Sequence, residues 1–151
     1  MKTKHVLIAL CLFCTNLGFA QNKLFDKYAD MDNVTSVYIS KAMFQMMPKI
    51  ESIGINLMNM EGKIESLQLV STENKDKATQ MRKDFTQLVT SKHQELMRIK
   101  DEHRHVNFYS DMQGDKIKEF IMLVDKGNSF TAVLLVGDFT LKDIQGIIEQ
   151  M

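Results

Sequence analysis

Two of the four histidines in this sequence stand two positions apart, at His103 and His105. Residues i and i+2 of a strand lie on the same face, so two imidazoles at this spacing could bind one metal ion. Asp101 precedes them by the same spacing and would add a carboxylate, and such a ligand set suits Zn²⁺ or Cu²⁺. Because every residue from Asp101 to His105 is polar, the alternative is a solvated segment beside a turn.

Methionine is the second residue type that could do chemistry, since the chain has 12 methionines and no tryptophan. Met43, Met46 and Met47 stand at helical spacing, and Met58 and Met60 follow them. Thioether sulfur binds Cu(I), which would suit a copper-binding protein. Methionine also fills irregular gaps in a core or forms an adaptable apolar surface that binds partners. The pattern leaves all three alternatives open.

Reactive motifs are missing from the sequence. It contains neither the G-x-S-x-G turn of serine hydrolases nor a glycine-rich phosphate loop. His93 is expected at the end of a helix, where a cation favours the helix dipole. Glu119 stands in an apolar segment and either faces solvent at a sheet edge or is a buried acid with a shifted pKa. We therefore predict no enzyme and no cofactor, with carboxylate catalysis through Glu119 as a remote alternative.

Residues 1–20 have the composition of a secretory signal peptide. Two lysines precede an apolar run over residues 6–20 that ends in small residues, which is the typical order of such a peptide. The run is shorter than the roughly 20 residues that a helix needs to span a bilayer. We therefore expect cleavage between Ala20 and Gln21, a single exported domain over residues 21–151, and a periplasmic or secreted location.

Both cysteines, Cys11 and Cys14, stand inside this expected signal peptide. Their C-x-x-C spacing imitates a redox pair or half of a zinc site. Cleavage would remove both residues, which leaves a mature chain without a thiol or a disulfide. Lipidation of either cysteine is the alternative to cleavage after Ala20, although no small residue directly precedes Cys11.

Charge is balanced, with 19 Lys and Arg against 19 Asp and Glu. Basic residues alternate with acids, as in Lys75-Asp76-Lys77, which is typical of a solvated surface and not of a nucleic-acid stripe. No other apolar run is long enough to cross a membrane. The sequence therefore predicts no nucleic-acid partner and no integral membrane span after signal cleavage.

Hydrophobic patterns predict a mixture of helices and strands. A helix over residues 74–93 carries one apolar stripe that includes Phe85, and a capping box at Thr140 and Asp143 predicts a closing helix. Strands are predicted at residues 34–40, 64–70, 95–100, 104–110, 116–124 and 130–136. Short turns join the last four strands. The predicted fold class is α+β: a mainly antiparallel sheet with a C-terminal four-strand meander and two principal helices packed on one face.

Three further segments complete the prediction. Residues 121–124 and 132–136 are apolar on both faces, which is typical of central strands. Residues 42–47 predict a short helix that ends at Pro48. Residues 50–60 are ambiguous, because apolar residues recur but a glycine and β-branched residues weaken a helix.

The order of these predicted elements resembles that of a known protein family. Residues 34–44, 95–101, 120–124 and 137–141 resemble the corresponding segments of a family of small exported proteins of Bacteroidota, catalogued as a domain of unknown function. The resemblance extends from Leu24 to Met151. It implies export and the same α+β order, and it brings no catalytic residues with it.

The function predicted from these observations is a non-enzymatic exported binding or interaction module of the bacterial cell envelope. Its partner would be a protein or another envelope component. The alternative is a small periplasmic metal-binding protein that uses His103 and His105, with Asp101 as a third ligand.

Overall fold

The computed structural model describes residues 17–46, 60 and 62–149. Within them lie six strands: β1 (Thr35–Ser40), β2 (Ile64–Thr72), β3 (His93–Lys100), β4 (His105–Gln113), β5 (Lys116–Asp125) and β6 (Phe130–Phe139). The helices of these residues are α1 (Leu17–Ala29), α2 (Lys41–Met46), α3 (Lys75–Thr86) and α4 (Leu141–Ile148). Their composition, mostly sheet with a few helices, confirms the predicted α+β class.

The strands form one sheet in the order β1-β2-β6-β5-β4-β3, and every neighbouring pair is antiparallel. The last four strands pair in chain order, because short turns join them. Gly114 and Gly127 take positive φ values of 68° and 79° in two of these turns, a backbone region that glycine enters without steric cost. Among the described residues, β1 and β3 therefore lie at the two edges of the sheet.

Both faces of the sheet are covered. In β6, Ala132 and Leu134 belong to a buried cluster with α1 and α3, whereas Val133 and Leu135 belong to a second cluster with α2 and α4. Successive residues of a strand point to opposite faces, so these clusters lie on opposite sides. We name the sides the α3 face and the α4 face.

The prediction that the two principal helices share one face is wrong. α3 buries Phe85 on the α3 face, and α4 buries Ile144 and Ile147 on the α4 face. The central strands explain this difference. β5 and β6 carry apolar side chains on both faces, so each face of the sheet must be buried by its own helices.

The ends of α3 are set by local hydrogen bonds. Asn74 caps its start, since the side chain accepts a hydrogen bond from the Lys77 N–H at 3.0 Å. The helix ends at Thr86, so the predicted extent to residue 93 is too long. The Leu88 N–H bonds the Phe85 carbonyl at 3.1 Å, which tightens the last turn and redirects the chain toward β3.

α4 starts with the predicted capping box. The Asp143 N–H bonds Thr140 Oγ1 at 3.3 Å, and the Thr140 N–H bonds Asp143 Oδ2 at 2.8 Å. Lys63 Nζ adds an ion pair to Asp143 at 2.7 Å. The start of α4 is thereby fixed to the residue before β2.

Some predicted features fall outside the described residues. Of the ambiguous segment 50–60, only Met60 is described, and it is buried. Residues 1–16 of the expected signal peptide also lie outside the described residues. The expected cleavage bond between Ala20 and Gln21 is described and lies within α1, whose first residue is Leu17. None of the helices in the described part of the chain is long and apolar enough to cross a membrane.

Candidate functional sites

A row of polar side chains follows β4 on the α3 face. His105, Asn107, Tyr109 and Asp111 are half-buried there, whereas the residues between them are buried on the α4 face. α3 packs on β2, β5 and β6, and this row runs beside it. Each end of the row holds a polar site.

The first site is an open cleft of about 590 Å³ between α3, the β3–β4 turn and the β5–β6 turn. We name it the His105 cleft. Its lining consists of Lys75, Thr79, Arg82, Lys100, Asp101, Glu102, His103, Arg104, His105, Asp125, Lys126 and Gly127.

An arginine–carboxylate pair forms one wall of this cleft. Arg82 of α3 donates to Asp125 from Nε and from Nη2, the latter at 2.7 Å, and Nη2 also donates to the Gly127 carbonyl at 3.0 Å. The hydrogen bonds from Arg82 hold the pKa of Asp125 below its usual value and raise the pKa of Arg82. The pair fixes α3 to the β5–β6 turn.

The three predicted metal ligands lie near one another but not on one strand face. β3 ends at Lys100, so Asp101 and His103 lie in the turn. Asp101 Oδ1 accepts hydrogen bonds from the His103 and Arg104 backbone N–H groups at 2.8 and 2.9 Å. The His103 N–H, followed by the Arg104 side chain, lowers the pKa of Asp101.

His105 is the member of that set that β4 holds in place. It pairs with Lys100 of β3 and Asp125 of β5. Its Nε2 atom is buried and has no hydrogen-bond partner among the described residues. Within the same residues, no three His, Cys, Asp or Glu side chains form a group that could hold a metal ion. A metal site at His103 and His105 stays a prediction.

The second site is a network around His93. The His93 side chain has no exposed surface, and its Nε2 lies 3.1 Å from Glu119 Oε2. His93 Nδ1 accepts the Thr90 N–H at 3.0 Å. Because Nδ1 accepts, the proton of the neutral ring lies on Nε2, which donates to Glu119. Lys92 Nζ completes the network at 3.0 Å from Glu119 Oε2 and 3.5 Å from Asp111 Oδ2.

This network corrects the sequence-based interpretation of His93. The residue begins β3 and does not end a helix. Glu119 lies on β5, a central strand, and its side chain is 15% exposed. The residues meet because His93 pairs with Asp111, which in turn pairs with Glu119. Sequence spacing gives no signal of this contact, since it depends on the register of three strands.

The third site is at the opposite edge of the sheet. Tyr38 of β1 and Met43 and Met46 of α2 are exposed large apolar residues, with Met46 77% exposed. They flank the β1 edge from both faces, since Tyr38 lies beside α1 and α2 packs on the α4 face. We name these three residues the β1 surface. A cleft of about 300 Å³ adjoins Tyr38. It is lined by Phe25, Asp26, Ala29, Ser36, Val37, Tyr38, Ser66, Gln68 and Leu69.

These features together define a small α+β domain with a six-stranded antiparallel sheet and three candidate sites. A family model described as a domain of unknown function, DUF4252, matches residues 28–147. The chain therefore belongs to that family. The comparisons with curated proteins and with solved structures gave no match.

Proposed function

We propose that this protein is a non-enzymatic binding module that is exported and acts in the bacterial cell envelope. The observation that carries the proposal is the β1 surface, because it combines exposed apolar side chains with an edge strand. The partner is a protein whose extended segment pairs with β1 and whose apolar side chain enters the cleft beside Tyr38.

The two edge strands differ in how they are protected. β3 carries Glu95, Arg98 and Lys100 as exposed charged residues, and its register shifts between Glu95 and Met97. Charges and irregular register are the usual protection of an edge against pairing with another chain. β1 has neither: its sequence TSVYIS is uncharged, and its pairing with β2 is regular over Thr35–Ser40. β1 is therefore the edge that can accept another strand.

A capture experiment tests this proposal. Envelope extract of the source organism is passed over the immobilised protein and over a Tyr38→Lys/Met46→Ser double variant, and bound proteins are quantified. A partner of the β1 surface should be retained by the wild type and lost with the double variant, since a lysine on an edge opposes strand pairing. Leu141→Lys is the control, because Leu141 is 52% exposed on α4 and should leave capture unchanged. Equal capture by all three proteins would contradict the proposal.

Export is supported by residues 1–20 and by the position of the cleavage bond. Cleavage between Ala20 and Gln21 would keep Phe25 and Tyr28, which are buried on the α3 face. N-terminal sequencing of the processed protein should therefore begin at Gln21. An intact Met1, or a lipid on Cys11 or Cys14, would contradict this part of the proposal.

Metal binding through His103 and His105 is the second candidate, because both histidines and Asp101 line one cleft. An ion that binds only the folded state raises stability, by about 2.7 kcal/mol at 100 times the dissociation constant. If the site exists, Zn²⁺ or Cu²⁺ should raise the melting temperature of the wild type by several degrees. The response should disappear in His103→Gln/His105→Gln. Equal responses would exclude this candidate.

A further inference from the structure

We propose that the partner of the β1 surface is a second copy of this chain, with the two β1 strands paired antiparallel across a two-fold axis. The two six-stranded sheets then continue into one. This inference rests on the proposed function, since it names the partner of the same edge. Three features support it: a cleft that fits a side chain of the same edge, complementary charges at the ends of β1, and apolar side chains on both faces.

A cleft and a side chain that fits it occur together on this edge. The cleft of about 300 Å³ beside Tyr38 includes Phe25, Asp26 and Ser36 in its lining, and Tyr38 is 65% exposed. An interface across a two-fold axis needs one patch that is complementary to itself. The β1 edge meets this requirement, because each copy gives its ring to the cleft of the other. Asp26 then offers a carboxylate to the phenol O–H of the incoming ring.

Strand geometry determines how the ring reaches the cleft. When both α3 faces lie on the same side of the joined sheet, residues directly opposite each other across the pair point to the same face. With Val37 on the two-fold axis, Tyr38 of one copy lies opposite Ser36 of the other, a residue of the cleft lining. This register places both rings beside clefts at once, whereas a register with Tyr38 on the axis would place the two rings opposite each other.

Charges at the two ends of β1 are complementary in this arrangement. Asp32 lies just before the strand and Lys41 just after it, and both are exposed. No ion pair engages either of them among the described residues. Antiparallel pairing places Lys41 opposite Asn33 of the other copy and next to its Asp32, and the symmetry forms this contact twice. Parallel pairing would bring lysine beside lysine, which is unfavourable.

Apolar side chains are present on both faces of the line where the two strands meet. Tyr38 lies on the side of α1. α2 buries Phe44 on the α4 face and exposes Met43 and Met46. A two-fold axis perpendicular to the sheet puts both copies of α2 on one face, so their methionines approach the line of contact from its two sides. Methionine packs well against irregular apolar surfaces, so pairing of the strands buries side chains on both faces.

The contact is complete with two copies. Within the described residues the other edge of the sheet is β3, whose exposed charges oppose strand pairing. Joining β1 of one copy to β3 of the next would be a head-to-tail contact that continues as a filament. The uncharged β1 pairs with itself and leaves β3 at both outer edges of a dimer.

Sedimentation equilibrium measures this contact on the protein purified in the form that cells produce. We expect a reversible equilibrium between monomer and dimer, without larger species. Tyr38→Lys should weaken dimerisation by at least about tenfold, because an aromatic anchor is lost and a charge enters the edge. Leu141→Lys adds the same charge at an exposed position of α4, so this matched control should dimerise like the wild type.

Charge reversal tests the antiparallel arrangement. Lys41→Asp and Asp32→Lys should each weaken dimerisation by about two- to tenfold, because each places like charges side by side. The variant that carries both changes should regain the wild-type affinity. If Tyr38→Lys fails to fold, these variants carry the test, and a double variant as weak as the single ones would contradict the antiparallel contact.

Crosslinking tests the register, in a chain whose two native cysteines are replaced by alanine. Val37→Cys should form a disulfide between copies, because two residues opposite each other on the axis lie within disulfide distance. Ser36→Cys should not, because its two copies are diagonal neighbours about 7–8 Å apart. Equal crosslinking of the two variants, or none in Val37→Cys, would overturn the assigned register.

The outcomes separate this proposal from the proposed function. A wild-type protein that is monomeric at every concentration overturns dimerisation through β1. If the capture experiment still retains another protein on the β1 surface, the proposed binding function stands without it. Dimerisation that is unchanged in Tyr38→Lys, or assemblies that grow beyond two copies, would also overturn the two-fold contact.

Discussion

Phe85 is the residue that joins three other aromatic rings on the α3 face. Its ring centroid lies 5.0 Å from Phe25, 5.3 Å from Tyr28 and 6.2 Å from Phe130. It is fully buried. One side chain of α3 therefore contacts both α1 and the sheet. Its truncation would remove packing contacts with both elements at once.

We expect Phe85→Ala to lower the free energy of unfolding by about 3–5 kcal/mol, because it removes buried surface and leaves a cavity. That loss is a large part of the 5–15 kcal/mol that is usual for a domain. Denaturant melts measure it. Tyr38→Ala, at a 65% exposed aromatic residue, should change stability by less than about 0.5 kcal/mol. A Phe85→Ala change below about 1 kcal/mol would show that this ring is not an anchor.

The structure shows a steric reason for the glycine at position 137. A Cβ atom at Gly137 would collide with the Lys63 carbonyl oxygen and the Phe139 ring. We expect Gly137→Ala to cost about 1–3 kcal/mol, as overpacking does. Beyond its chain neighbours and the helix backbone, no atom of the described residues lies within 4 Å of a Cβ added at Gly146 in α4, so Gly146→Ala should be neutral or stabilise by up to about 1 kcal/mol. The melting temperature should therefore fall in Gly137→Ala and stay unchanged or rise in Gly146→Ala, and equal destabilisation would contradict this account.

At the level of secondary-structure elements, α1 is attached to α3 by polar contacts as well as by rings. Asp84 of α3 accepts hydrogen bonds from Tyr28 Oη at 2.7 Å and from Lys27 Nζ at 2.9 Å. The bond from Lys27 and then that from Tyr28 lower the pKa of Asp84, and burial is the main cause that raises the pKa of Tyr28. The carboxylate form of Asp84 is thus the form that holds the two helices together.

This contact predicts a pH dependence. Because the folded-state pKa of Asp84 is below the unfolded value of about 3.9, its contribution is complete above that value. It is lost as the pH falls through the folded-state pKa. We expect Asp84→Asn to lose less stability than the wild type when melts are repeated from pH 6 down to about pH 2. Asp138→Asn is the control, since Asp138 is exposed. Identical acid profiles for Asp84→Asn and the wild type would disprove the coupling.

Most of the secondary-structure elements in the described residues could be predicted from sequence alone. Alternating and apolar runs predicted the six strands of the described residues, and the capping box predicted the start of α4, because these signals are local. The end of α3 was missed, since Leu88 continues its apolar stripe while the backbone already turns. The contact between His93 and Glu119 could not be predicted either, because it arises from strand register across β4 and not from spacing along the chain.

On the scale of the whole molecule, the position of the helices follows from the two-sided core. Apolar residues on both faces of β5 and β6 require cover on both faces, and α1 with α3 supplies it on one side and α2 with α4 on the other. The candidate sites follow the same division: the His105 cleft and the His93 network lie beside α3, and the β1 surface lies at the far edge of the sheet. The His105 cleft and the β1 surface are therefore separate sites.

α1 is the element that tests whether this two-sided architecture is required. A chain that begins at Gln21 keeps Phe25 and Tyr28, whereas a chain that begins at Asp30 loses both from the α3 face. We expect the first chain to keep the stability that α1 gives to the α3 face. The second should lose at least about 3 kcal/mol, the lower value for removing one buried aromatic side chain, and it should bind a hydrophobic dye because Phe85 loses its cover. Equal stability of the two chains would show that the α3 face is complete without α1.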